Sequence, residues 1–393
     1  MSEPSTTSTT LWPQLLGLAI LQTAVGLSWQ IYSAAQPSIL AKFDLLAAAG
    51  ALSLVPGLVS LGLEPFFGKF SDQIRQRVGS RLPAINVGVL LTALIFLTVA
   101  FSLQTQWLYG VRWLIPGLMV AWVTTMKIFQ NPSVALVKQY TPPKDLPQAA
   151  AILTIVGAVT GAVKPFARTL VAQFGASLTF ALGGAVLLTA LTVLHRLTPK
   201  TSRTKADTTP PLSHRQLAWL FGVGAGVQLA LGALLAALPP RLAPPLPQLG
   251  LESIASGLLL VSGVAAWPLG LWMKRIGVDR MLGLGLLGAV MVTLLALWEG
   301  GAVLVIVTIL VGGVVLGILF NIGVPLALAR APASQASFAI GLFFSGGALA
   351  VIFFAVYKLL FGDLPTALAV LATSIGLMVA GGCARGLKVK SEE

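Results

Sequence analysis

Four ionisable side chains sit inside or at the edge of long apolar runs: Glu64, Arg112, Lys127 and Lys164. A charge within a bilayer-length apolar run is costly, so such a residue is expected to face a cavity or a partner. Arg112 and Lys127 fall on one run, while Lys164 and Arg168, one turn apart on the next, share a helical face. Arg112 and Lys164 are expected at comparable depth in the outer half, where two cations could hold an anionic group. The competing reading is snorkelling towards headgroups, which is easy for Lys127 and Arg168 and harder for Lys164. Glu64 is the candidate carboxylate for coupling to a proton or sodium ion, because Glu252 and Glu299 lie near run ends and Asp44 and Asp363 read as connections. Glu64 also lies one turn before a charged group that begins at Gly68, and it could belong to that group instead. Gln30, Gln228 and Asn321 join Arg112 and Lys164 as the candidate substrate-contacting set. Further hydrogen-bonding candidates are Gln22, Tyr32, Asn86, Gln130 and Asn131. Trp29, Trp113, Trp122 and Trp267 could offer stacking platforms to a polyol or a conjugated ring, although tryptophans also gather at membrane interfaces.

Several kinds of chemistry are disfavoured. The single cysteine, Cys383, excludes an internal disulfide and a cysteine metal cage. The two histidines, His195 and His214, flank a polar segment, and no nucleophile–base arrangement accompanies them. No G-x-x-x-x-G-K-[ST] loop occurs, which argues against ATP-driven pumping. Neither enzymatic activity nor a cofactor is expected. The net charge of +13 would suggest nucleic acid in a soluble protein, but here it is read as basic residues gathered on cytoplasmic loops.

The elements that must position these residues follow from composition. The chain is 56% hydrophobic and only 9% charged, with a mean hydropathy of +0.90. A soluble domain carries roughly 25% charged residues, so this chain could not cover itself in water. The apolar runs have the length of membrane helices, since about 20 residues cross the ~30 Å hydrocarbon core. They predict an all-α membrane protein with twelve transmembrane helices in two six-helix bundles. The expected spans are 11–35, 45–67, 82–103, 107–130, 148–172, 176–197, 215–238, 250–272, 278–298, 301–327, 334–358 and 364–385. The connections after every second span, with the C-terminal tail, hold most of the lysines and arginines, whereas the opposite ones hold only Lys42, Arg241 and Lys358. That asymmetry places both termini in the cytoplasm. Short loops point to a bacterial cytoplasmic membrane, and a monomer is expected. Met1–Thr10 carries no basic residue, so no cleaved signal peptide is expected. The Thr/Pro-rich segment Thr198–Ser213 reads as a mobile cytoplasmic linker. It divides the chain into an N-terminal bundle (1–197), a linker (198–214) and a C-terminal bundle (215–393), the layout of a two-bundle secondary transporter.

The connection after the second run is the most distinctive stretch. Gly68, Ser71, Asp72, Arg75, Arg77, Gly79, Arg81 and Pro83 follow the pattern G-x-x-S-D-x-x-R-x-R-x-G-x-R-x-P without a gap. This resembles the loop motif of the major facilitator superfamily, and looks most like its glycoside–pentoside–hexuronide and sucrose-transporter branch. Asn131-Pro132-Ser133-Val134-Ala135-Leu136 with Pro142-Pro143 is similar to that branch's loop after span 4, and Arg112-x-x-x-Pro116-Gly117 partly resembles the span 4 motif. The second half echoes the first with Gly270, Lys274, Arg275 and Gly277, but Lys274 stands where an aspartate would be expected. The resemblance implies a cytoplasmic gate built on Gly68, Asp72, Arg75, Arg77, Gly79 and Arg81, in which the aspartate caps a neighbouring helix and pairs with arginine. It also implies spans 1, 4, 7 and 10 around a central cavity. The function expected is a symporter-like secondary transporter that moves a sugar-like solute or an organic anion through the lipid bilayer by alternating access. Span 1 carries no acidic residue, unlike the sugar symporters of the branch. The rival expectation is a non-transporting member that binds a pigment or assists assembly of a membrane complex, since the branch includes such proteins.

Overall fold

The twelve apolar runs become twelve helices: α1 (Trp12–Lys42), α2 (Ala49–Val78), α3 (Leu82–Thr105), α4 (Leu114–Tyr140), α5 (Leu146–Ala162), α6 (Lys164–Leu197), α7 (His214–Leu242), α8 (Leu251–Ile276), α9 (Val278–Leu295), α10 (Ala302–Arg330), α11 (Ala336–Phe361) and α12 (Thr366–Lys388). The computed structural model describes residues 9–105, 109–198, 210–246, 248, 250–298 and 301–388. Most of the expected linker, at 199–209, lies outside the described residues. Among those described, 11 helices are long and apolar enough to cross a membrane. The twelfth, α4, falls short because it carries Lys127, Gln130, Asn131 and Lys138. Its polar half faces protein rather than lipid: every residue from Asn131 to Val137 is buried.

In the first half α1 packs on α5 and α6, α3 on α4 and α6, and α2 on α4. In the second α7 packs on α11 and α12, α10 on α8 and α9, and α12 on α9. The halves meet chiefly along α2–α11 and α5–α8. Both seams depend on close approach. A Cβ on Gly68 would stand 2.5 Å from the Ser337 carbonyl oxygen, and one on Gly270 would stand 3.1 Å from the Pro147 carbonyl oxygen. Pro65 has no amide, which leaves the Leu61 carbonyl without its helical donor. Ser345 Oγ of α11 donates to that carbonyl at 2.5 Å, so the proline creates a polar stitch across the seam. The first half closes around an aromatic core in which Tyr32 stacks on Trp122 at 4.3 Å, with Phe96 and Phe180 beyond.

Several expected boundaries are corrected. Helix α2 continues through the charged stretch to Val78 and is stopped by Gly79, at φ 83°. Residues 68–77 are therefore helical rather than a loop. Helix α4 runs from Leu114 to Tyr140, so the stretch Asn131–Leu136 is inside a helix and Arg112 precedes it. Span 5 ends at Ala162, and the expected break near 172–176 is a kink at Gly175 (φ 76°, ψ 156°) within α6. The cause is the same in each case. Hydropathy marks where lipid ends, while a helix continues for as long as its backbone is paired and its flank packed.

Candidate functional site

Both termini of the described chain, the end of α6 and the start of α7 lie at one end of the molecule, the linker end. The Leu11 amide donates to Tyr140 O, Tyr140 Oη lies 3.2 Å from Thr198 Oγ1, and Arg330 reaches Leu387 O. Four charged arrangements occupy this end.

The first joins α2 to α11. The opening turn of a helix leaves its amides without helical partners. Asp72 Oδ2 accepts from Phe338 N at 2.9 Å and Oδ1 from Ser337 N at 3.3 Å, both in the first turn of α11. A carboxylate is favoured there by the helix dipole. Arg81 Nη2 pairs with Asp72 Oδ1 at 2.7 Å, and the two side chains are 2% and 4% exposed. Arg75 and Arg81 also donate to Ala333 O, at 2.6 and 3.0 Å. Gly68 admits the α11 backbone one turn above Asp72, Gly79 ends the helix, and Arg77 is exposed. The second arrangement is Lys138, which donates to Leu328 O at 2.7 Å and to Ala331 O, carbonyls at the end of α10. The third, Lys274 Nζ with Asp145 Oδ1 at 2.5 Å, joins α8 to the start of α5. It answers the first in reverse: here the cation rides on the long helix and the carboxylate sits at the neighbour's N-terminus. The fourth, Arg330 with Asp279 at 3.2 Å, lies within the second half.

Deeper in the molecule, Glu64 and Lys127 form an ion pair at 2.8 Å, with side chains 3% and 12% exposed. Asn131 Nδ2 lies 3.4 Å from both Glu64 Oε2 and Glu64 O. Lys127 Nζ also stands 5.5 Å from the Trp29 ring centroid, close enough for cation–π attraction. Gln22 Nε2 donates to Ser133 Oγ at 2.6 Å on the same α1–α4 seam. From the far side α11 closes on Glu64, because Gly341 brings its backbone against the Glu64 carbonyl. A buried charge pair thus sits where α1, α2 and α4 of one half meet α11 of the other.

The second half repeats this scaffold without the charges. Asn321, which precedes Pro332 at the interval by which Asn131 precedes Pro142, donates Nδ2 to Ala266 O at 2.8 Å. Ala266 is one turn before Gly270, as Glu64 is one turn before Gly68. Gly317 stands where Lys127 would be and packs on the Ser262 carbonyl.

The remaining expected residues do not converge. Arg112 pairs with Asp44 at 3.3 Å, with side chains 40% and 66% exposed, so it belongs to the outer connections rather than to a buried cavity. Lys164 begins α6 and lines a different, outer pocket. Gln30 is half-buried on α1, Gln228 lies against Gly347 on the α7–α11 seam, and Asn321 is engaged as described. Asn86 bonds His195 at 2.7 Å. The partnership of Glu64 with Lys127 was missed because α4 was expected to end at 130, which put Lys127 near the membrane surface. The signal available was the polar run Gln130–Ser133, too polar for lipid and followed by a further apolar stretch.

A family model described as Major Facilitator Superfamily matches residues 18–355. The chain belongs to the Major Facilitator Superfamily. Members of this superfamily are membrane transporters of small molecules rather than enzymes, and the chain is accordingly an integral membrane protein. Solved structures share the superfamily fold at low identity. The human organic anion transporter MFSD10 (TETRAN) is 16% identical, with a TM-score of 0.64 over 96% of this chain and 99% of its own. A bacterial homologue of the iron transporter ferroportin, in an outward-facing state, is 15% identical, with a TM-score of 0.66 over 97% and 100%. The transporter FucP, in an outward conformation, is 13% identical, with a TM-score of 0.67 over 95% and 98%. At these identities the likeness concerns the superfamily fold alone. No curated protein matches the chain by sequence.

Proposed function

We propose that this protein is a secondary active transporter that moves a small polar organic solute, sugar-like or anionic, by alternating access. In this reading the linker end faces the cytoplasm, in keeping with its basic loops. The Asp72–Arg81–α11 contact is the latch that holds that end shut, and Glu64 with Lys127 is the coupling element.

The observation that carries the reading is the asymmetry between the halves. In the second half Asn321 bonds Ala266, and Gly317 takes the place of Lys127, so the matching helix contact forms without a charged pair. Two charges removed from water at the junction of four helices cost several kcal/mol of desolvation, roughly offset when they are paired. A group retained under those terms suits a mechanism that breaks the pair: protonation of Glu64, or capture of Lys127 by a solute anion, releases the partner and alters the α2–α11 seam. The branch resemblance favours a sugar, and the buried cation favours an anionic group.

The test is uptake by the purified protein in liposomes under imposed proton and sodium gradients, against a panel of sugars and organic anions. Gradient-driven accumulation that disappears in Glu64→Gln is expected. Accumulation by the variant equal to that of the native chain refutes the coupling role, and absence of uptake under any gradient refutes transport.

A second reading has one observation in its favour. An apolar groove of about 420 Å³ opens between α7, α11 and α12, walled by Gly226, Leu229, Phe353, Leu371 and Ile375. Such a groove suits an apolar ring or an acyl chain, as a pigment-binding or assembly role would require. Thermal stabilisation by tetrapyrroles without any solute uptake would select it.

A further inference from the structure

At the end opposite the linker, a pocket of about 310 Å³ lies between the start of α6, the end of α7, the start of α8 and the end of α11. This is the low end of the size range of small-molecule sites, about 300–1,000 Å³. Lys164 from the first half and Lys358 from the second both line it. Neither ammonium has an ion-pair partner among the described residues. The carboxylates of the pocket are Glu252, already engaged by Arg168, and Asp363. Counting Lys164 and Lys358 against Asp363, with Glu252 balanced by Arg168, the pocket carries an excess of positive charge.

A second feature of the same wall is independent of charge. Pro239 and Pro240 are consecutive inside α7. Each lacks an amide, so the carbonyls of Leu235 and Ala236 lose their i+4 donors. Both residues line this pocket. A carbonyl without its helical donor needs another partner when it is shielded from water. The pocket lining therefore combines two cationic donors with the two residues whose carbonyls lack helical donors.

From this juxtaposition we infer that the pocket is an outer binding site for a polyhydroxylated carboxylate, a sugar acid. Lys164 and Lys358 hold the carboxylate, and the carbonyls freed by Pro239 and Pro240 accept from its hydroxyls. A neutral sugar lacks the group that the lysines select, and a simple fatty carboxylate lacks the hydroxyls. Because the two lysines come from different halves, the bound solute bridges the seam that must part at this end. The inference rests on the transporter reading and narrows its substrate class to solutes that are both sugar-like and anionic. It also replaces the expected pairing of Lys164 with Arg112 by a pairing with Lys358.

The experiment is calorimetric titration of the full chain in lipid nanodiscs with sodium gluconate, glucose and sodium hexanoate, run beside gluconate uptake in liposomes. Gluconate is expected to bind more tightly than either control. Lys164→Gln with Lys358→Gln is expected to weaken gluconate by about tenfold or more, the loss typical of a charge-assisted contact. Lys164→Arg with Lys358→Arg is expected to retain most of the affinity, which guards against a mere folding defect. Pro239→Ala with Pro240→Ala restores helical N–H donors to the Leu235 and Ala236 carbonyls and is expected to weaken gluconate but not hexanoate. The inference is overturned if gluconate does not bind, if glucose binds as well, or if the double Gln variant binds gluconate like the native chain. The two readings separate cleanly. Gluconate uptake undiminished by the double Gln change sinks the site and leaves transport standing. Lysine-dependent binding without uptake supports the site and sinks transport.

Discussion

Glu64 and Ala266 hold the same place in the two halves, yet only Glu64 is charged. Each offers its main-chain carbonyl to an asparagine, Asn131 at 3.4 Å and Asn321 at 2.8 Å, and each precedes by one turn the glycine at which its helix meets the opposite half. The shared part is scaffold. What distinguishes the first half is a carboxylate and, on α4, the lysine that answers it.

Removing one member of that pair leaves the other buried and unpaired. Glu64→Ala or Lys127→Met alone is expected to destabilise the protein by about 3–5 kcal/mol. The double change imitates the apolar second half and is expected to recover most of that loss while abolishing gradient-driven uptake. Thermal unfolding in detergent and liposome uptake measure the two effects separately. A double variant as unstable as either single one would show that the pair does not act as a unit.

Asp72→Asn keeps the size of the side chain and removes its charge, weakening the bond to Arg81 and the cap on Ser337 and Phe338. A charged hydrogen bond contributes about 1.5–3 kcal/mol, enough to shift a two-state balance at least tenfold. Spin labels at the exposed positions Gln76 and Ala329, on opposite halves of the linker end, should report a larger separation. An unchanged distance distribution would remove the latch role.

Gly68→Val tests the same seam without touching charge. The added side chain meets the Ser337 backbone, which cannot swing aside as a side chain would. Overpacking of this kind costs about 1–3 kcal/mol, and the linker end should open as it does in Asp72→Asn. Gly62→Ala, whose new methyl would meet nothing within 4 Å, is the control and should behave like the native protein.

The Lys274–Asp145 pair should matter less. Its side chains are 38% and 18% exposed, against 2% and 4% for Arg81 and Asp72. Water screens it accordingly, and exposed pairs contribute about 0–1 kcal/mol. Lys274→Ala is expected to widen the Gln76–Ala329 distance far less than Asp72→Asn. An equal effect would mean that both seams share the load at this end.

Much of this molecule is legible along the chain. Apolar runs of bilayer length require helices, because a backbone in lipid must satisfy its own hydrogen bonds. The motif from Gly68 to Pro83 identifies the superfamily, since a glycine, an aspartate and arginines at fixed intervals can be recognised without knowing what they touch. Helix ends were less legible. Arg112 read as intramembrane and Lys127 as superficial because α4 was placed too early, and α4 was hard to place because its polar residues face protein while hydropathy reports only lipid.

The sequence by itself determined the helical membrane class and the presence of an unusual carboxylate at Glu64. The tertiary structure decided what that carboxylate touches. Glu64 meets Lys127 and the backbone of Gly341, and Lys164 shares a pocket with Lys358 rather than lying with Arg112, because helix neighbours are chosen by the fit of glycines, prolines and side-chain ridges across seams. That fit joins residues far apart in the chain, and no local pattern of polarity records it.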